Sequence, residues 1–439
     1  MGKAILKKNM SKKKNAISLV ACLAVFVGLG LTGTDRYVYA QGLHETDNVK
    51  NDDGNPDGTV IYRVDDAVEI GKAMEAAGME KPYAESLDKK DQDVAADSVY
   101  RLKRIIVYAD EFPDICGASS VVCYDKYNYY ILGFDSEEDT KTAYRYLVGE
   151  YGSDSCMPDQ MIYSEDVYDD GISGQAALAE SGKYDAVSWG TAYMGMDKLK
   201  AEVSGYSVAS DVDIAVIDTG INASDTLFDG RINTADSVNC YDDETAGDFS
   251  DKLGHGSHVA GIIADATPDN AKLTIIKCFS DSGSTAVSVV QRGIMAALDR
   301  GVDIINMSLC FYGTNANENT RAMLDPLIEQ ANNENVVICV AAGNANRSVN
   351  NWGISDVEGV SYPADSRNVI TVSALMQKPG TEDTADKVAA GTVTFADTYS
   401  YYGDAVDFSA PGSYITSAWM NGTGHSHVNI GKSMAAPYI

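Results

Sequence analysis

Five short, nearly uninterrupted apolar runs lie at Asp213 to Asp218, Leu273 to Lys277, Ile304 to Ser308, Val336 to Ala341 and Val369 to Ser373. Between them, helical spacing is found at about His255 to Ala266, Thr285 to Arg300 and Asn317 to Asn332. A strand wetted on one face alternates apolar and polar residues, whereas a strand covered on both faces reads as a continuous apolar run. The alternation of such strands with helices therefore predicts an α/β architecture, a parallel sheet with helices on both faces. Open parallel sheets carry their functional groups at the carboxyl ends of the strands. Two candidates stand there: Asp218 ends one run, and Asn344 closely follows another.

Asp218 belongs to Ile214-Ala-Val-Ile-Asp-Thr-Gly220, His255 opens His255-Gly-Ser-His-Val-Ala-Gly261, and Ser433 lies in Gly431-Lys-Ser-Met-Ala-Ala-Pro437. A serine hydroxyl is a weak nucleophile until an imidazole takes its proton, and that imidazole needs a carboxylate to fix its tautomer and stabilise its charged form. These three residues supply the three parts. His255 is expected at the start of a helix, between the backbone-loosening Gly254 and Gly256. Ser433 is expected to open a second helix, whose free N–H groups favour a developing negative charge. An attacked carbonyl would then place its oxyanion between the Ser433 N–H and the Asn344 side chain.

Seven short segments in one order, the three above with Asn306-Met-Ser-Leu309, Ala341-Ala-Gly-Asn344, Tyr362-Pro-Ala364 and Ala410-Pro-Gly412, resemble the successive motifs of the subtilisin-like serine peptidases from about Ser188 onward. The resemblance implies a serine endopeptidase with Asp218, His255 and Ser433 as triad and Asn344 as oxyanion donor. It also implies that Ser308 and Leu309 pair with an extended peptide substrate by strand addition, with Cys310 beside the specificity pocket where the family usually has Gly. Lys432 replaces the family's usual Thr, and two alternatives are open for it: a cation beside the oxyanion, or a side chain pointing to solvent. Tyr438 replaces a His at a packing position. The family continues for several elements past the nucleophile, so the sequence is expected to be a C-terminally incomplete version of a longer protein, unstable and inactive as written.

The remaining organisation follows from local patterns. Residues 1–40 read as a signal peptide: Lys7, Lys8, Lys12, Lys13 and Lys14 precede the apolar Ala16 to Leu31 and a Val38-Tyr-Ala40 cleavage site. A retained membrane anchor is the alternative, since Asn15 to Thr34 is uncharged and long enough to span. Residues 41–97 are acidic and expected to be loosely ordered. Residues 98–165 predict a small α+β domain, with strands at Arg104 to Tyr108, Tyr129 to Leu132 and Gln160 to Tyr163. Its helix, capped by Ser136, runs to about Tyr151. By position and texture this domain is similar to the family's propeptide, an intramolecular inhibitor. Residues 166–187 form a linker, cleaved near Tyr184, and 188–439 the peptidase domain.

A net charge of −30 argues against nucleic acid as a partner, because phosphates would be repelled. Polypeptide is the expected substrate, and the membrane enters only through the export signal. No CxxC is present, and the pairs His255/His258 and His425/His427 lack carboxylate or thiol companions at ligand spacing, so no cofactor is expected, with calcium left as an open but unsupported alternative. Asp218-Thr-Gly220 with Asp281-Ser-Gly283 could form an aspartic-peptidase pair. Its α/β surroundings speak against that class. The stronger alternative is a truncated or degenerate, non-catalytic subtilisin-like protein.

Overall fold

The computed structural model describes residues 43–45, 60–64, 100–163, 188–203, 211–241, 246–312, 318–343, 361–377, 392–396, 400 and 402–439. They fall into two compact units, divided after Asp159.

The first unit is an antiparallel sheet with one helix. Its strands are β1 (Leu43–Glu45), β2 (Val60–Val64), β3 (Arg104–Tyr108), β4 (Ser120–Tyr124), β5 (Tyr129–Gly133) and β6 (Cys156–Pro158), in the order β1-β2-β4-β5-β3-β6. Helix α1 (Glu137–Tyr151) starts at Ser136, whose hydroxyl accepts from the Asp139 N–H at 3.1 Å. Three acidic residues in its first turn complement the helix dipole. Ala143 and Leu147 of α1 pack with Ile105, Val107, Leu132 and Cys156 into one core.

The second unit contains β7 (Met161–Tyr163), α2 (Trp189–Met194), α3 (Met196–Val203), β8 (Val212–Asp218), β9 (Val238–Asn239), α4 (His255–Ala266), β10 (Ala271–Lys277), β11 (Ser284–Ala286), α5 (Val287–Arg300) and β12 (Ile304–Met307). It continues through β13 (Phe311–Tyr312), α6 (Glu318–Asn333), β14 (Val337–Ala341), β15 (Ser361–Tyr362), β16 (Ile370–Gln377), β17 (Val393–Phe395), β18 (Phe408–Pro411), β19 (Ile415–Ser417) and β20 (His427–Asn429). The main sheet runs β17-β16-β14-β12-β8-β10-β9, with β18 also beside β16. All its pairings are parallel except β16 with β17.

The two-sided burial inferred from the apolar runs is visible in β8 and β10. Ile214, Val216, Leu273 and Ile275 join α4 in one core, while Gly293 of α5 lies against Ile217 and Ile276 from the other face. After β8 the chain crosses through α4 to β10 on one side; after α5 it returns to β12 on the other side of β8. The order therefore reverses around β8, and its carboxyl end, Asp218, stands at the switch point where open α/β sheets place ligands.

Four expectations are corrected. Within the stretch expected to be loosely ordered, β1 and β2 pair into the first sheet. The strand expected at Gln160 to Tyr163 forms, but β7 pairs antiparallel with β11 in the second unit. Helix α5 begins at Val287, not Thr285, because residues 284–286 pair with β7 and the Thr285 hydroxyl donates to Cys278 O. Ser433 does not open an α-helix: Lys432–Met434 and Ala436–Tyr438 are two 3-10 turns. Pro437 has no N–H to donate to Ser433 O, and the Ser308 hydroxyl donates to that carbonyl at 2.9 Å.

Candidate active site

Asp218 is the last residue of β8 and His255 the first of α4; both are buried. His255 Nδ1 lies 2.7 Å from Asp218 Oδ1, which also accepts from the Thr219 N–H at 2.7 Å. A carboxylate only accepts, so this contact puts the imidazole proton on Nδ1 and leaves Nε2 as the basic nitrogen.

Two glycines permit the approach. Gly254, at φ 104°, occupies left-handed space, where a Cβ would lie 2.4 Å from the Trp419 ring. A Cβ on Gly256 would lie 2.3 Å from Gly220 O and 3.1 Å from Asp218 Oδ1. The start of the helix can therefore close on the end of β8 only without side chains at these positions.

Ser433 is buried in the first 3-10 turn, which packs against α4. Its hydroxyl donates to Ser308 O at 3.1 Å, and the Ser308 hydroxyl donates to Ser433 O at 2.9 Å. This reciprocal pair fastens the turn to the segment that follows β12. Leu309 and Cys310 continue that segment, both half-buried, and the Cys310 thiol donates to Ala341 O at 3.4 Å. The structure thus brings Ser308 and Cys310 together with Ser433 and the end of β14. Lys432 is fully buried, which overturns the alternative of a side chain pointing to solvent.

Asn344 lies outside the described residues, as do residues 1–40, Tyr184 and the linker. Among the other histidines, His258 is fully buried with Nε2 2.9 Å from Ile415 O. His425 pairs with Asp265, and His427 stacks on Trp419 with ring centroids 3.7 Å apart. None of these is a metal cluster; among the described residues no group of three or more His, Cys, Asp or Glu is placed to hold an ion.

The sequence pattern misses Thr219 and Asp251. Thr219 Oγ1 donates to Asp251 Oδ1 at 2.9 Å and accepts from the Gly256 N–H at 2.8 Å, so it joins the residue after Asp218 to the residue after His255. Asp251, four positions before His255, is one of many acids in its loop. Its other partners, Leu253, Gly254 and Ser257, follow it closely, but Thr219 lies 32 positions away, a pairing that no local motif announces.

A family model described as the subtilase family matches residues 209–439. The chain is 31% identical over 235 residues to the thermostable alkaline protease of Halalkalibacterium halodurans, covering 52% of this chain and 54% of that one. It is 34% identical over 231 residues to the subtilisin-like serine protease AsES of Sarocladium strictum, covering 51% and 50%. Among solved structures, Sphericase is 26% identical, with a TM-score of 0.43 over 58% of this chain and 81% of that one. The chain spans about half the length of the curated relatives it matches.

Proposed function

Because the chain belongs to the subtilase family, we propose that it is a secreted serine endopeptidase, made as a zymogen, that hydrolyses extended polypeptide through Asp218, His255 and Ser433. The observation that carries this reading is the buried Asp218–His255 hydrogen bond at the switch point, on the helix that packs against the Ser433 turn.

In the first step the Ser433 hydroxyl turns about χ1 from Ser308 O toward His255 Nε2, exchanging one neutral hydrogen bond worth about 1 kcal/mol for another. As Oγ attacks the peptide carbonyl, Nε2 takes its proton, and Asp218 stabilises the resulting imidazolium through Nδ1–H. The oxyanion is met by the Ser433 N–H and, by family resemblance, the Asn344 side chain. The imidazolium then protonates the leaving amine. Water, deprotonated by the same Nε2, releases the acyl group, so no cofactor is needed.

Strand addition supports the zymogen part of the reading. β7 lies antiparallel on β11, Ile162 opposite Thr285, and β11 pairs with no other strand among the described residues. The segment before the linker thus occupies a sheet edge of the kind an extended peptide uses. Export rests on the basic and apolar character of residues 1–40. No helix among the described residues is long and apolar enough to cross a membrane.

The test compares the full-length protein with its Ser433→Ala form on casein and with a fluorophosphonate that labels reactive serines. The expected result is labelling of Ser433 and a loss of hydrolysis of at least about 10³-fold in the variant. Buried Lys432, beside the nucleophile in place of the family's usual Thr, favours a second reading, a peptide-binding protein without turnover. Binding of a casein peptide with neither labelling nor cleavage would establish it.

A further inference from the structure

Beyond the three residues of the proposed triad, the buried carboxylate of Asp251 gathers an unusual number of donors. Its Oδ1 accepts from Thr219 Oγ1 at 2.9 Å, from the Leu253 N–H at 2.9 Å and from the Gly254 N–H at 2.8 Å. Its Oδ2 accepts from the Ser257 N–H at 2.9 Å and the Ser257 hydroxyl at 2.7 Å. The residue is 4% exposed, so these five bonds replace the water it has lost. Burial pushes its carboxyl group up, but the donors from Gly254 and Ser257 outweigh this and hold it below the ordinary carboxylate range.

The arrangement has a direction. Thr219 has one hydroxyl proton; Asp251 takes it, which turns the Thr219 lone pairs toward the Gly256 N–H, 2.8 Å away. Thr219 is bonded to Asp218 in the chain and Gly256 to His255. One relay, Gly256 N–H to Thr219 Oγ1–H to Asp251, thereby ties the carboxylate strand to the helix start independently of the Asp218–His255 bond. The Ser257 hydroxyl extends the tie by accepting from the Asn222 N–H at 2.9 Å. Three N–H groups at the start of α4, which no helical carbonyl can satisfy, also end on this network: those of Gly254, Gly256 and Ser257.

We propose that Asp251, acting through Thr219, is a positioning residue that sets the distance and orientation between Asp218 and His255. The proposal rests on the peptidase reading for its catalytic consequence, but not for its geometry. Asp251→Asn replaces one acceptor oxygen with an NH2 that faces donors already present. The helix start then shifts relative to β8, and the His255 ring loses its alignment with the Asp218 carboxylate. Binding of a peptide at other edges of the sheet is untouched, so the effect belongs in turnover.

Two readouts test this on the full chain. The first is steady-state hydrolysis of a peptide, normalised to serines titrated with a fluorophosphonate. Asp251→Asn should lower kcat on the order of 10²-fold with KM changed by less than about threefold. Thr219→Val, which keeps the shape and removes the relay, should lower kcat about tenfold, and Thr219→Ser should restore it. The second readout needs no turnover: in a Ser433→Ala background, the strongly downfield proton resonance of His255 Nδ1–H bonded to Asp218 should be sharp while Asp251 is intact and broadened by Asp251→Asn. Should Asp251→Asn fail to fold, the Thr219→Val and Thr219→Ser pair decides by both readouts. Unchanged kcat and an unchanged resonance in Thr219→Val overturn the proposal. Absence of hydrolysis by the full-length parent protein sinks the peptidase reading instead, and the resonance then decides the positioning role alone.

Discussion

His258 remains uncharged inside the fold. It is fully buried one turn along α4 from His255, and burial, followed by the nearby His427 and His255, pushes its pKa well below the ordinary histidine value. In the unfolded chain the same ring takes a proton near about pH 6.5. Between those two pKa values the unfolded state binds more protons, so the stability His258 confers is intact above about pH 6.5. It is lost as the pH falls below, at up to about 1.4 kcal/mol per pH unit. The denaturation midpoint is therefore expected to drop between pH 7 and pH 5. A His258→Gln chain, weaker at pH 7, should show a flatter profile; an equally steep one would remove His258 from the account. Asp251 acts lower on the scale. Its depressed pKa confers stability above about pH 4 that disappears as the pH falls through the folded value. At this scale the Asp218–His255 pair was legible because both residues sit in short motifs. The tie through Thr219 and Asp251 was not, because hydrogen-bond partners from distant segments leave no spacing to read.

The start of α4 is the element on which the site depends. Gly256 has no room for a side chain, since its would-be Cβ meets the backbone oxygen of Gly220, and backbone cannot swing aside as a side-chain tip can. Gly256→Ala is therefore expected to cost about 1–3 kcal/mol of stability and to push His255 away from Asp218. A displacement approaching 1 Å should reduce kcat on the order of 10²-fold. Thermal melting and peptide hydrolysis check the two effects, and a variant with parental values in both would show that the helix start has slack. Elements buried on both faces, β8, β10, β12 and β14, were legible because burial dictates their composition. The turns at Lys432–Met434 and Ala436–Tyr438 were misread as a helix because Pro437 and the Ser308 hydroxyl act together on a single carbonyl. β7 was found as a strand but assigned to the wrong sheet. Alternation specifies that a segment is extended, whereas its partner depends on which edge is open, and the open edge was β11.

At the scale of the whole molecule, topology and charge act on the same place. The reversal of strand order around β8 fixes where chemistry can sit before any side chain is considered. On the proposed reading, Asp218, His255 and Ser433 then decide which chemistry. The field of a net charge of −30, if it extends over the approach to that site, is expected to raise the encounter rate of cationic peptides and lower that of acidic ones. Such a field reaches about 30 Å at 0.01 M salt and about 3 Å at 1 M. Two peptides that share their scissile region and differ at remote positions, Lys in one and Glu in the other, should therefore differ in kcat/KM at low salt and converge at high salt. The difference belongs in kcat/KM and not in kcat, because steering acts before the complex forms. Parallel salt profiles for the two peptides would mean that the excess charge is distributed away from the approach to the site, and that its role is confined to keeping the chain soluble.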